Sequence, residues 1–245
     1  MRTPKNPVAT QITTREHTLP HSHPANSSAH TVQFYEDDSF LIDGLARFIG
    51  SPLLAGSSAL VIATKTHRDS LFEHLHSRGF DPASAIRQGR FLALDASETL
   101  AKFMIDGLPD TTRFTALMDS LLTQLQFAAN GNHRPIAAFG EMVALLWAEG
   151  KQYAALQLEQ LWNHLAGTHS FHLHCAYPIS LFASHADAEL ITAVCGEHSH
   201  VIPAERYTSL IGEQQRHSAI VLLQQKAHAL ETEIHERQKA QQALQ

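Results

Sequence analysis

Apolar residues fall along this chain in short unbroken runs, separated by stretches in which they recur at helical spacing. The runs HTVQFYED (from His30), SALVIAT (from Ser58), RFLALDA (Arg90 to Ala96), PIAAFG (Pro135 to Gly140), FHLHCAYP (Phe171 to Pro178) and HVIP (from His200) predict strands, mostly apolar on both faces. In the first, Val32 and Phe34 face one way and Thr31, Gln33 and Tyr35 the other. Between them the spacing predicts helices over Asp38 or Ser39 to about Ile49, Asp69 to Arg78, Ser97 to Gly107, Thr112 to Asn130, Tyr153 to Leu165 and Asp187 to His198, with a loop from Ser51 to Ser58. Strands alternating with helices predict an α/β fold: a mostly parallel sheet with helices on both faces.

Two segments break this rhythm. Residues 1–29 are rich in Pro, Thr, Ser, Asn and His and predict a disordered leader, in which His21 and His23 offer at most adventitious metal binding. Residues 208–245 contain no Pro and no Gly after Gly212. There Ile220, Leu223, Ala227, Leu230, Ile234 and Leu244 fall on alternating three- and four-residue steps, with Arg237 and Gln241 at the remaining seam positions. This predicts a long amphipathic helix that pairs with a second copy of itself. The domain organisation is therefore 1–29 leader, 30–207 α/β domain and 208–245 coiled-coil connector.

Composition narrows the function. Of 245 residues 44% are hydrophobic, enough for a packed core, and the net charge of −6 leaves no basic footprint for nucleic acid. Two cysteines, Cys175 and Cys195, make no disulfide framework. No apolar stretch approaches the roughly 20 residues of a membrane span, and the start of the chain lacks a signal-peptide core. A cytoplasmic location is the expectation. The 18 histidines are scattered rather than clustered.

In nucleotide-binding α/β domains, glycines after the first strand let backbone N–H groups cradle phosphate. Here that loop is Tyr35-Glu36-Asp37-Asp38-Ser39, with three acids and no glycine or lysine. The sequence also lacks a GxxxxGK loop, GxGxxG, GxSxG and HExxH, so no catalytic activity and no cofactor are expected. One carboxylate stands out: Glu141, directly after the PIAAFG strand, followed by a further apolar run to Trp147. Ligands of open α/β sheets bind at the carboxyl ends of the strands. Phe34, Tyr35 and Glu36, Glu141, and Tyr177 all lie at predicted strand ends, a set suited to a small organic ligand. His172 and His174, two apart on a strand, face the same way and with Glu141 would make a two-His, one-carboxylate set. They belong to no compact ligand motif, so no metal is expected.

The stretches HTVQFYED, GRFLALDASETLAKFM, FGEMVALLW, LEQLWNHL, CAYP and HSHVIP, in that order from His30 to Pro203, resemble the MEDS domain, the sensory domain named for methanogens, methylotrophs and the regulator DcmR. The resemblance implies a RecA-like α/β fold without a phosphate loop. It also implies a ligand-sensing input module, for hydrocarbon derivatives, of histidine kinases and transcription regulators. Glu141, Trp162, Asn163, Tyr177, His198 and His200 match its pattern, adding Asn163, His198 and His200 to the candidate ligand-binding residues. His172 and His174 stand where the family is more apolar. The tail LETEIHERQKAQQALQ resembles connectors leading into PAS or histidine-kinase modules, with no phosphoacceptor box, ATP-binding glycine box or helix-turn-helix after it. With the homodimer expected from the seam, the resemblance implies relay to a histidine kinase or response regulator. The competing readings are a divergent metal-assisted enzyme using Glu141 with histidines, and an interaction scaffold for a kinase.

Overall fold

The computed structural model describes residues 29–129, 134–182, 188–208, 210 and 212–243. Residues 1–28 of the expected leader and the seam position Leu244 lie outside them. The first half comprises β1 (His30–Tyr35), α1 (Asp38–Leu54), β2 (Ala59–Ala63), α2 (Lys65–Ser77), α3 (Pro82–Arg87), β3 (Phe91–Asp95), α4 (Ala96–Ala101) and the strands β4 (Met104–Ile105) and β5 (Leu108–Pro109). Then follow α5 (Thr111–Ala128), β6 (Ile136–Gly140), α6 (Met142–Ala148), α7 (Gln152–Leu165), β7 (Phe171–Pro178), a 3-10 turn (Ile179–Phe182), α8 (Ala188–Gly196), β8 (His200–Ile202), α9 (Glu205–Thr208) and α10 (Glu213–Ala243).

The main sheet has the order β3-β2-β6-β7-β1-β8, and every pairing in it is parallel. Helices cover both faces, as the strand composition requires. Tyr35, Val61, Phe139 and Ala176 pack under α1, α2 and α3. Phe34, Ile62, Ala138, Cys175 and Tyr177 pack under α4 to α8. Strand β6, IAAFG, is buried throughout, as expected of a central parallel strand.

Several boundaries depart from the sequence expectation, each for a local reason. Helix α1 continues through Pro52 to Leu54, because Leu53 is buried and the N–H groups of Ala55, Gly56 and Ser57 close the last turn on Ser51, Leu53 and Pro52. Helix α2 starts at Lys65, capped by Thr64, although its first turn has no apolar period. Asp95, not Ser97, caps α4, donating nothing and accepting from Ser97 and Glu98 N–H. That helix ends at Ala101, because Asp106 and Gly107, both with positive φ, form the turn of the β4–β5 hairpin. Helices α3 and α6 were not expected; the apolar run of α6 is almost wholly buried and shows no amphipathic period.

Helix α10 is solvent-exposed along nearly its whole length, including Ile220, Leu223, Leu230 and Ile234 of the seam. No helix of the described residues is long and apolar enough to cross a membrane.

Candidate functional site

The expected strand-end residues do not form one pocket, because the sheet itself divides them. Tyr35 and Phe34 are successive residues of β1 and point to opposite faces. Tyr35 and Glu141 meet on the α1 and α2 side, whereas Phe34 and Tyr177 lie on the α7 side.

Glu141 is 5% exposed and takes the N-cap position of α6 without capping it. Its carboxylate reaches across to the end of β2. Oε2 accepts from the Thr64 N–H at 2.8 Å, and Oε1 lies 2.8 Å from His67 Nδ1, close but out of line for a ring hydrogen bond. Thr64 is the N-cap of α2, so the carboxylate also sits at the positive end of that helix. His67 Nε2 is 3.5 Å from Asp38 Oδ1. The Glu141 contact raises the His67 pKa against the opposing effect of burial. Burial, reinforced by Glu141 and Asp38, raises that of the Tyr35 phenol. This group holds α1, α2 and β6 together; Glu141 is enclosed by protein rather than open to a ligand.

Glu36 is exposed, and its side chain pairs with Arg206 at 2.8 Å. The N–H groups of Glu36 and Asp37, in the place where a phosphate loop would present its donors, are taken by the Glu205 carboxylate at 2.7–3.2 Å. These bonds help to hold the Glu205 pKa below its usual value, against a burial effect that raises it. Glu205→Ala is expected to speed hydrogen exchange at the Glu36 and Asp37 amides while changing global stability by less than about 1 kcal/mol. Unchanged exchange at both amides would show that Glu205 does not hold this loop.

The other face carries a buried polar cluster that was only partly legible in the sequence. Its centre is Glu159 of α7, 0% exposed. Tyr177 O–H donates to Oε1 at 2.8 Å. Oε2 is 3.4 Å from Cys175 Sγ, 3.3 Å from His30 Nε2 and 3.5 Å from His198 Nε2. The two imidazoles lie against each other, ring centroids 4.0 Å apart. Asn163, one turn along α7, accepts from His30 Nδ1 at 2.7 Å and donates to the Glu197 carbonyl at 2.9 Å. Burial raises the Glu159 pKa, but the hydrogen bonds and charges of His198 and His30 outweigh it, and the group is held well below the usual carboxylate range. For His198, burial acts downward and Glu159 upward, and the net shift is upward. Burial first, and Glu159 second, push the Cys175 thiol and the Tyr177 phenol well up.

Three candidates thus come together: Asn163, Tyr177 and His198. Phe34 joins them through the aromatic packing of Tyr177, at 6.3 Å between ring centroids, with Phe182 and Trp147 completing that group. The Trp147 indole nitrogen is buried without a hydrogen-bond partner. His200 is exposed on β8, where its Nδ1 lies 3.0 Å from the Ser199 hydroxyl.

His172 and His174 do share a face, but each is engaged separately. His172 Nδ1 accepts from the Ala29 N–H, and His174 Nε2 pairs with the Gln33 amide at 2.9 Å. Burial, aided by the charges of His198 and His30, pushes the His174 pKa down to about 4. Among the described residues the donor set able to hold a metal is instead His30, Glu159, Cys175 and His198. Sequence reasoning missed His30, Glu159 and Cys175 as site residues. The signal was there for Glu159: a carboxylate on the apolar stripe of α7, between Leu158 and Trp162 and four residues before Asn163.

A wholly parallel six-stranded sheet with helices on both faces defines a doubly wound α/β domain, and an internal carboxylate closes its first loop. The chain matches the model of the MEDS family, the methanogen/methylotroph, DcmR sensory domain, over residues 29–199, and belongs to that family. No curated protein matches it.

Proposed function

We propose that this chain is a non-catalytic, cytoplasmic ligand-sensing input module of a signalling system of the histidine-kinase or transcription-regulator type. It binds a small organic molecule and relays occupancy through α10, pairing with a second copy, to a kinase or response regulator. The observation that carries this reading is the exposed apolar seam of α10, directly after a sensory-family domain. A helix 31 residues long with that seam gains by burying it against a partner helix.

The ligand locus on this reading is the aromatic group of Phe34, Tyr177, Trp147 and Phe182. It is apolar, and Trp147 offers an indole donor that lacks an acceptor. An oxygen-bearing hydrocarbon derivative suits both features. Differential affinity for two packings of this group would shift the pairing of α10.

The test is a thermal-shift screen with short alcohols, aldehydes and carboxylic acids, read alongside light scattering of the full chain. A ligand present at a hundred times its Kd stabilises the folded chain by about 2.7 kcal/mol. The expected results are a hit lost in Phe34→Ala, and a dimer that Leu223→Glu with Leu230→Glu converts to a monomer. A screen without hits would move the reading to an interaction scaffold, and a monomeric wild-type chain would remove the relay.

A further inference from the structure

We infer that His30, Glu159, Cys175 and His198 form a tetrahedral binding site for a divalent metal ion of the zinc type, buried between α7, β1, β7 and the segment that joins α8 to β8.

Four of the six donor–donor distances have the spacing of a coordination shell. With bonds of about 2.0–2.2 Å to nitrogen or oxygen and about 2.3 Å to sulfur, adjacent ligand atoms of a tetrahedral zinc site lie about 3.3–3.6 Å apart. Here His30 Nε2 is 3.3 Å from Glu159 Oε2 and 3.4 Å from Cys175 Sγ; Cys175 Sγ is 3.4 Å and His198 Nε2 3.5 Å from the same Glu159 oxygen. All four donors lie within 4.8 Å of one another.

The outer partners orient both imidazoles for coordination. The Asn163 amide is fixed by its donation to the Glu197 carbonyl at 2.9 Å, so its oxygen faces His30 and accepts the Nδ1–H at 2.7 Å. His198 Nδ1 donates to the Val194 carbonyl at 2.6 Å. In its neutral form each ring, with Nδ1 carrying the proton, turns a bare Nε2 lone pair toward the carboxylate. His198 Nε2 is buried, and its nearest acceptor, Glu159 Oε2, lies 3.5 Å away and out of line for a ring hydrogen bond. Metal-ligating histidines carry this arrangement, with the far nitrogen donating to a carbonyl or carboxylate. Tyr177 O–H occupies the other Glu159 oxygen and leaves Oε2 for the metal.

Positive charge beside Glu159 comes either from protons on the rings or from a metal ion, and elemental analysis separates the two. Two lone pairs, a carboxylate oxygen and a sulfur facing one point, out of water, need positive charge there. One divalent ion supplies it. Binding releases the Cys175 thiol proton to solvent, and the ion, the thiolate and the Glu159 carboxylate sum to zero. Two imidazoles, a thiolate and a carboxylate in tetrahedral array select zinc over magnesium or calcium. His172 and His174 play no part.

The test uses the full chain, expressed in zinc-supplemented medium, purified without chelator and dialysed with a reductant. Elemental analysis is expected to find one zinc per chain, retained in a His21→Ala, His23→Ala variant. The cobalt-loaded protein is expected to show tetrahedral ligand-field bands and a thiolate charge-transfer band, the latter lost in Cys175→Ser and kept in Cys195→Ser. Asn163→Ala, which leaves all four ligands, is expected to weaken zinc binding about 10- to 100-fold. If Cys175→Ser does not fold, protection of Cys175 from alkylation by added zinc in the wild-type chain reads the same contact. A folded wild-type chain that carries no stoichiometric zinc and gains no thermal stability from zinc over magnesium would overturn the site. So would a charge-transfer band lost with Cys195, or zinc lost with His21 and His23.

Discussion

Glu159→Gln is expected to lower the stability of the folded chain by about 3–5 kcal/mol, the cost of removing one partner from a buried ionic group. The substitution keeps side-chain volume and so isolates charge from cavity formation. It leaves His30 and His198 in contact at 4.0 Å with no anion between them, and puts an amide against the Cys175 thiol and Tyr177 hydroxyl. For a chain of this size the loss corresponds to a melting temperature lower by roughly 10 °C. Urea denaturation against a Glu36→Gln control measures it; Glu36 is exposed, and its pair with Arg206 is worth less than about 1 kcal/mol. Equal effects of the two substitutions would mean that the cluster does not hold an ionised Glu159.

Glu141→Gln carries the second large effect, about 3 kcal/mol, and changes the pH dependence as well. The carboxylate accepts the Thr64 N–H and lies against His67, both at 2.8 Å, so its neutralisation weakens the start of α2 and its junction with β6. The His67 pKa is raised above 6.5 in the folded chain, chiefly by Glu141. A group raised in this way stabilises fully below its unfolded pKa, and the contribution is lost as pH rises through the folded value. Wild-type stability should therefore decline above pH 6.5 by an increment that Glu141→Gln removes. Denaturation midpoints measured across that range decide it: parallel pH profiles for the two proteins would show that Glu141 does not set the charge of His67. The same enclosure makes Glu141 a joint between α2 and β6.

Much of the fold was legible because it depends on local pattern. Apolar runs bounded by Gly, Pro and acidic caps marked all six strands of the main sheet, and the glycine-free loop after β1 marked the missing phosphate cradle. The boundaries that failed were those set by partners distant in sequence. Burial of Leu53 extends α1 past Pro52, and α6, buried almost all round, has no amphipathic period to find.

The candidate site was legible residue by residue but not as a set. That strand ends share an edge was a sound inference; that successive side chains of a strand fall on opposite faces separates Tyr35 from Tyr177. Strand order then decides which residues on one face meet. Placing β7 between β6 and β1 carries Cys175 to His30. The hydrogen bonds between His30 and Ser199 bring the segment after α8, and with it His198, to the same point.

By itself, then, the sequence determined a parallel α/β domain of the MEDS family, a long last helix and the lack of a glycine loop after the first strand. Only the tertiary structure could decide that an acid on the apolar stripe of α7 would meet two histidines and a cysteine more than a dozen residues away along the chain. Apolar pattern encodes which faces are buried. The meeting of buried polar groups is encoded in strand order and helix placement, which no local periodicity records.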